Sequence, residues 1–340
     1  MKMYMPNTRW TWSFVIVTTV QAACILAFES YVFARFQLQL IGDASANTES
    51  KTIPTFLTLY IFGFVYELVL VYDALRLKNT IQVIGLCICN LGLLIYGAVQ
   101  IDQIEEAVKS LDKAGLIHPS VLGEIRPFLV AIPCITGFGT VAMAFLAWKL
   151  YDEFAWTIYK HISADLRMKR RYLTYQIYIA LLKFDFFFFL GFTVQFVVVV
   201  TETKTIEFAL TLAAIPVTIL ILVMAAFWTR RENTVGMVIV ILLYFGGFAY
   251  FLFKLIRMYS PEKMAAYLPA RRSLTFFAVA TIILIIMTIA NAIVCTLNFN
   301  KGLKPHITSK KRPRGAEKGE GTELNDQFSH GPVPSRMTID

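Results

Sequence analysis

The stretch LTYQIYIALLKFDFFFFLGFTVQFVVVV, residues 173–200, decides the class of this fold. No period-two alternation runs through Phe186-Phe187-Phe188-Phe189-Leu190, so it does not read as a barrel strand with one polar face. It exceeds the ~20 residues a helix needs to cross the hydrocarbon core of a bilayer. Only helices and closed barrels satisfy their backbone hydrogen bonds in lipid. The pattern therefore predicts a spanning helix, facing lipid or buried among its neighbours.

Seven more stretches share this character: Trp10 to Phe36, Pro54 to Asp73, Thr80 to Gln100, Arg126 to Leu150, Ile206 to Trp228, Val235 to Ile256 and Leu274 to Leu297. The composition agrees, because 57% hydrophobic and 16% charged residues leave too little polar surface to cover a water-soluble globule. The prediction is an all-α polytopic bundle of about eight spans over 1–299. A change to Lys, Arg, Pro, Gly, Ser and Glu marks 300–340 as a disordered cytoplasmic tail. A seven-helix bundle is the alternative, with the stretch interrupted by Glu67 interfacial or re-entrant, and would suggest a receptor.

Lys and Arg set the orientation. With the N-terminus cytoplasmic, the inner segments carry Lys2, Arg9, Arg76, Lys78, Lys149, Lys160, Arg167, Lys169, Arg170, Arg171, Arg230 and Arg231. The outer connections hold fewer, and Lys109 and Lys113 there lie among Asp102, Glu105, Glu106, Asp112 and Glu124. One outer connection dissents, flanked by Arg257, Lys263, Arg271 and Arg272. The first span outruns a signal-peptide core, so it reads as an uncleaved anchor.

The chemistry of common membrane enzymes is missing. His118, His161, His306 and His330 all fall in loops or the tail, leaving no span a histidine for haem, a di-iron centre or a serine base. Cys24, Cys87, Cys89, Cys134 and Cys295 fall inside spans and read as small packing residues. An intramembrane aspartyl pair of Asp73 and Asp185 is the remaining catalytic option, but Lys183 lies beside Asp185 and no Gly-x-Gly-Asp run occurs. Phosphate-binding, nucleophile-elbow and zinc-protease motifs do not occur either. The expectation is a protein without enzymatic activity, cofactor, metal or nucleic-acid partner.

Two connections carry a pattern. Ile101, Ile104, Val108 and Leu111 recur at helical spacing and Gly115 closes them, predicting that the third helix runs on as a solvated extension or lies along the membrane. Phe154, Ile158, Ile162 and Leu166 form a stripe that ends in Arg167, Lys169, Arg170 and Arg171. That suits an interfacial helix whose basic end meets anionic lipid of the cytoplasmic leaflet, although the same charges could act only to set topology. In the tail, Lys310-Lys311-Arg312-Pro313-Arg314 could bind anionic lipid or a coat protein, or serve as the final cytoplasmic anchor. No readable retrieval signal to the endoplasmic reticulum and no Asn-x-Ser/Thr sequon is found.

Arg9-Trp10-Thr11-Trp12, Glu29-Ser30-Tyr31-Val32-Phe33, Tyr66-Glu67, Tyr72-Asp73-Ala74-Leu75-Arg76 and Lys183-Phe184-Asp185-Phe186-Phe187-Phe188 together resemble the fungal family of uncharacterised Golgi apparatus multi-pass membrane proteins. The resemblance covers about Arg9 to Phe299. It implies a fungal protein of the Golgi and endomembrane system and carries over no site.

Ionisable residues inside the spans are the remaining clue, since each costs ~2.5–3.5 kcal/mol at a helix centre and usually faces a partner in the bundle. The candidates are Glu67, Asp73, Lys183 and Asp185, with Glu29 read as interfacial and Asp73 as paired with nearby Arg76 or merely interfacial. Lys183 and Asp185 lie about 200° apart around their helix, so each requires a partner elsewhere. Similar depth from Arg171 and Arg76 pairs Lys183 with Glu67. Gln21, Gln100 and Gln195 are expected to donate hydrogen bonds between helices. Pro133, Gly137 and Gly139 suggest a hinge or break in the fourth helix, and Pro216 a bend in the sixth. No other polar track is evident.

Two function classes follow. One is a component that organises, sorts or escorts membrane constituents, with the bilayer, anionic lipids and membrane-protein or coat partners. The alternative is a transporter or receptor-like bundle using an intramembrane charged site, which would gather Glu67, Lys183 and Asp185 on a water-accessible cavity.

Overall fold

The computed structural model describes residues 6–41, 48–161, 166–199, 206–261, 267 and 270–302. The bundle consists of α1 (Arg9–Leu38), α2 (Thr48–Leu77), α3 (Thr80–Lys113), α4 (Val121–His161), α5 (Leu166–Val199), α6 (Ile206–Arg231), α7 (Thr234–Met258) and α8 (Arg271–Leu297). All eight are long and apolar enough to cross a membrane. The seven-helix alternative falls, because α2 runs unbroken through Glu67.

Local sequence sets the helix ends. Thr8 and Thr11 form a capping box at α1, the Thr8 hydroxyl accepting from the Thr11 amide at 3.3 Å. Two tight hairpins use the same device. Lys78 (φ 50°) precedes Asn79, whose side chain caps α3, and Glu232 (φ 55°) precedes Asn233, whose side chain caps α7. Gly115, at φ 68°, closes α3 in the left-handed conformation that costs glycine least.

The helices form two rings of four. In the first, α1 packs on α2, α2 on α3, α3 on α4 and α4 back on α1; α5, α6, α7 and α8 repeat that cycle. The rings meet where α2 and α3 pack on α5, and α3 on α8. This seam is built of aromatic rings against glycines. Phe184 lies over Gly85, Phe187 beside Gly63 and Phe188 near Gly92, and a Cβ added at Gly85 would overlap the Phe184 ring. The phenylalanine run of the opening stretch is thus largely an inter-ring surface, with Phe187 and Phe188 buried.

Three expectations are corrected here. The α3 extension is not solvated: Ile104, Val108 and Leu111 are buried in a second apolar cluster with Phe36, Ile53 and Val121. The segment from Phe154 is not a separate interfacial helix, because α4 continues to His161 and Arg167, Lys169, Arg170 and Arg171 belong to the start of α5. Ile162 lies outside the described residues, as does the chain from 303 onward with Lys310–Arg314. Finally, α4 is not broken; it passes Pro127 and Pro133 as one helix, and Gly139 makes room for the Gln21 side chain.

Candidate functional site

At the seam, α2, α3 and α5 bring Asp73, Gln82 and Lys183 together. The Lys183 ammonium forms an ion pair with Asp73 and donates to Gln82 Oε1 at 2.8 Å. Gln82 Nε2 in turn donates to Asp73 Oδ2 at 3.1 Å and to the Leu70 carbonyl at 3.0 Å. Tyr66 ties its hydroxyl to the Lys183 carbonyl at 2.8 Å. The charged side chains are partly exposed, 24% for Lys183 and 35% for Asp73.

Lys183 therefore pairs with Asp73 and not with Glu67. Depth counted from Arg171 misleads, because that residue lies beyond the level at which α5 meets its neighbours: Thr174 accepts from Asn291, and Tyr175 meets Arg230. From Tyr175, Lys183 is only ~12 Å along the axis, and its long stem reaches back toward the basic end of the bundle. Gln82, which nothing in the local sequence marks as polar bait, completes the triad.

Glu67 stays alone. It is 4% exposed and its Oε1 has no hydrogen-bond partner among the described residues. Its ionisable surroundings are Cys87, Cys89 and Tyr60.

Asp185 points into the second ring, away from Lys183, as their spacing requires. Its Oδ2 accepts from Tyr244 on α7 at 3.1 Å and from Thr288 on α8 at 2.8 Å. Its Oδ1 has no partner among the described residues, although the side chain is buried. Asp185 lines a cavity of about 60 Å³ with Thr218, Tyr244, Gly247 and Thr281.

A polar track does exist, contrary to expectation, and α3 is its spine. Gln82, Asn90, Gln100 and Gln103 are all buried along it. Gln21 Nε2 donates to Asn90 Oδ1 at 2.7 Å, and Asn90 Nδ2 to Thr140 at 3.0 Å. Gln195 Nε2 donates to the Tyr96 hydroxyl at 2.9 Å, crossing the seam. Gln100 Nε2 meets both Glu29 oxygens at 3.4 Å. The three glutamines behave as the sequence predicts, but Glu29 is fully buried and not interfacial. The track is not legible in any one stretch, because its members are spread over different helices and stand on α3 at intervals of eight, ten and three residues among apolar neighbours.

Lys254 on α7 is a further buried charge. It is 2% exposed, with its ammonium 3.8 Å from the Phe196 ring centroid and 5.7 Å from that of Tyr250. A lysine inside an apolar run was the available signal.

The dissenting basic connection finds its explanation at the opposite, acidic end. Arg272 donates to Asp102 at 3.4 Å and Glu106 at 3.2 Å, so the α3 extension neutralises charge that the topology rule disfavours there. Arg126 and Lys109 share Glu105, and Arg35 pairs with Glu124. At the basic end, Lys149 stands 4.4 Å over the Trp148 ring and Arg9 5.1 Å over Trp10, the aromatic and cationic belt of a membrane interface. Arg171 donates to the Lys301 carbonyl at 2.6 Å, placing the α5 basic cluster where the tail departs. Among the described residues, no three His, Cys, Asp or Glu side chains form a group that could hold a metal.

Eight apolar helices with charges bound between them define a polytopic α-helical membrane protein. No family model matches the chain. It is 38% identical over 314 residues, 86% of this chain and 88% of the relative, to the UPF0658 Golgi apparatus membrane protein of Schizosaccharomyces pombe. The chain belongs to the UPF0658 Golgi apparatus membrane protein family and is a multi-pass protein of the Golgi apparatus membrane. No solved structure matches it.

Proposed function

We propose that this protein is a non-catalytic component of the Golgi membrane that organises, sorts or escorts other membrane constituents through its cytoplasmic face. The observation that supports this reading is the dispersal of the intramembrane charges. Lys183 is held by Asp73 and Gln82 on one side of α5, and Asp185 by Tyr244 and Thr288 on the other. Neither Glu67 nor Lys183 lines the Asp185 cavity. Such pairs brace helices against one another, as a scaffold requires, whereas a substrate pathway gathers its polar groups on one opening. Arg167, Lys169, Arg170 and Arg171 would meet anionic lipid, and the tail beside them would meet membrane-protein or coat partners.

Loss of the chain should displace a specific set of membrane proteins from the Golgi. Replacing the four basic residues of α5 by Ala should reproduce that displacement while the variant stays folded and in place. An unchanged Golgi membrane proteome in both strains would contradict the proposal. The alternative, a transporter or receptor-like bundle, draws on the Asp185 cavity, and purified protein in liposomes that moves a solute would favour it.

A further inference from the structure

Two cavities among the described residues differ in character. The larger, about 370 Å³, lies between α2 and α5, is walled by Pro54, Phe62, Leu190 and Val194, and carries no charged residue. The smaller holds a carboxylate. We propose that Asp185 and its cavity form an intramembrane site for one compact monovalent cation, a proton or a sodium ion.

An ionised carboxylate has about four acceptor positions. At Asp185, Tyr244 and Thr288 both donate to Oδ2, which leaves Oδ1 without a donor among the described residues in a side chain that lines the cavity. A buried, unpaired carboxylate oxygen is costly in apolar surroundings, and a bound cation removes that cost directly. The remaining wall supplies further oxygen. Thr281 donates its proton to the Phe277 carbonyl at 2.6 Å, so its own lone pairs stay free to face a cation, and Thr218 adds a second hydroxyl from α6.

Size and charge narrow the ligand. About 60 Å³ admits one or two water-sized occupants and no organic solute. The ionisable groups facing Asp185 are Tyr244 from α7 and Tyr178 from α5 itself, while α6 and α8 contribute only hydroxyl and apolar side chains to the cavity. Lys183 is turned away and bound to Asp73. One negative charge that faces no positive charge among the described residues calls for one positive charge. A divalent ion would remain half-neutralised and lacks the six or more oxygen ligands it prefers.

The test uses full-length protein in lipid nanodiscs, comparing wild type with Asp185→Asn. Thermal unfolding is followed in sodium chloride against choline chloride at equal ionic strength, and acid-induced infrared difference spectra record the protonated-carboxyl band. A ligand that binds only the folded state raises the unfolding midpoint with its concentration. If sodium is the occupant, it raises the wild-type midpoint and Asp185→Asn abolishes the rise. If the proton is, sodium has no effect beyond choline, and acid produces a carboxyl band that Asp185→Asn lacks. Wild type and variant alike in both measurements would overturn the site. Thr281→Val, which leaves both Oδ2 bonds in place, covers the case in which Asp185→Asn does not fold. It should weaken the sodium response severalfold or shift the pH at which the band appears, and unchanged responses would count against the site.

Discussion

The two rings of four helices share one connectivity and differ in what they bury. The first ring is laced by amide and hydroxyl side chains along α3, with Gln21, Asn90 and Thr140 in one chain and Glu29 and Gln100 in another. The second is largely aromatic and aliphatic inside, with Asp185, Glu232 and Lys254 as its buried charged residues among those described. The same backbone plan thus supports a half laced along α3 and a half whose buried carboxylate borders a cavity, and both hold carboxylate oxygens, those of Glu67 and Asp185 among them, without a partner among the described residues. Satisfied polar networks rigidify helix contacts, whereas an unsatisfied group marks where an occupant or a rearrangement has something to gain.

The comparison assumes that both rings start at the cytoplasmic face, and that is the all-or-none test. Protease added to sealed Golgi vesicles should remove a C-terminal tag without detergent. Protection of the tag would invert one ring relative to the other and remove the eight-span plan.

The next effect in size belongs to the seam. Lys183→Ala leaves Asp73 without its cation and should cost roughly 2 kcal/mol, somewhat below the value for a charge at a helix centre because the pair is partly exposed. Exchanging the two, Lys183→Asp with Asp73→Lys, should restore much of the folded yield, since the Gln82 amide can serve either charge by turning over. A double variant no better than the sum of the singles would show that the triad does not join the rings.

Glycine substitutions separate seam from periphery. Gly85→Leu forces the Phe184 ring to move and should destabilise by about 1–3 kcal/mol, as overpacked cores do. Gly246→Ala, with open space at its Cβ position, should shift the unfolding midpoint little. Equal shifts would mean that the rings are not closely packed across the seam. A smaller loss is expected for Asn90→Ala, ~1 kcal/mol, typical of a hydrogen bond between helices in a bilayer. A larger one would make the first ring still more dependent on its polar spine.

The least effect is expected at the acidic end. Arg272→Ala removes exposed ion pairs to Asp102 and Glu106 and should change stability by less than about 1 kcal/mol, vanishing at high salt. Its consequence should appear instead as a fraction of chains with α8 misoriented, read by tag accessibility.

Much of this architecture was legible in the residues. Spans are local: a run such as Leu173 to Val200 must be helical in lipid whatever its neighbours do. The caps at Thr8, Asn79 and Asn233 and the stop at Gly115 are equally local, and so was the need of Gln21, Gln100 and Gln195 for partners, because an amide inside a span has few alternatives. Which partner each group takes is another matter. That choice depends on how far one helix slides and turns against the next, and neither quantity is written in a single helix. Hence Lys183 reaches Asp73 and Gln82 and leaves Glu67 buried alone, although both acids stand on α2. Glu29 becomes interior because the α3 extension carries the packed region further than the apolar runs end, burying Ile104, Val108 and Leu111 beside it. The Asp185 cavity arises only where four helices fail to close completely. Composition and periodicity determined that the chain carries eight helices long and apolar enough to cross a membrane; the tertiary structure decided which charges meet, because meeting is a property of two surfaces at once.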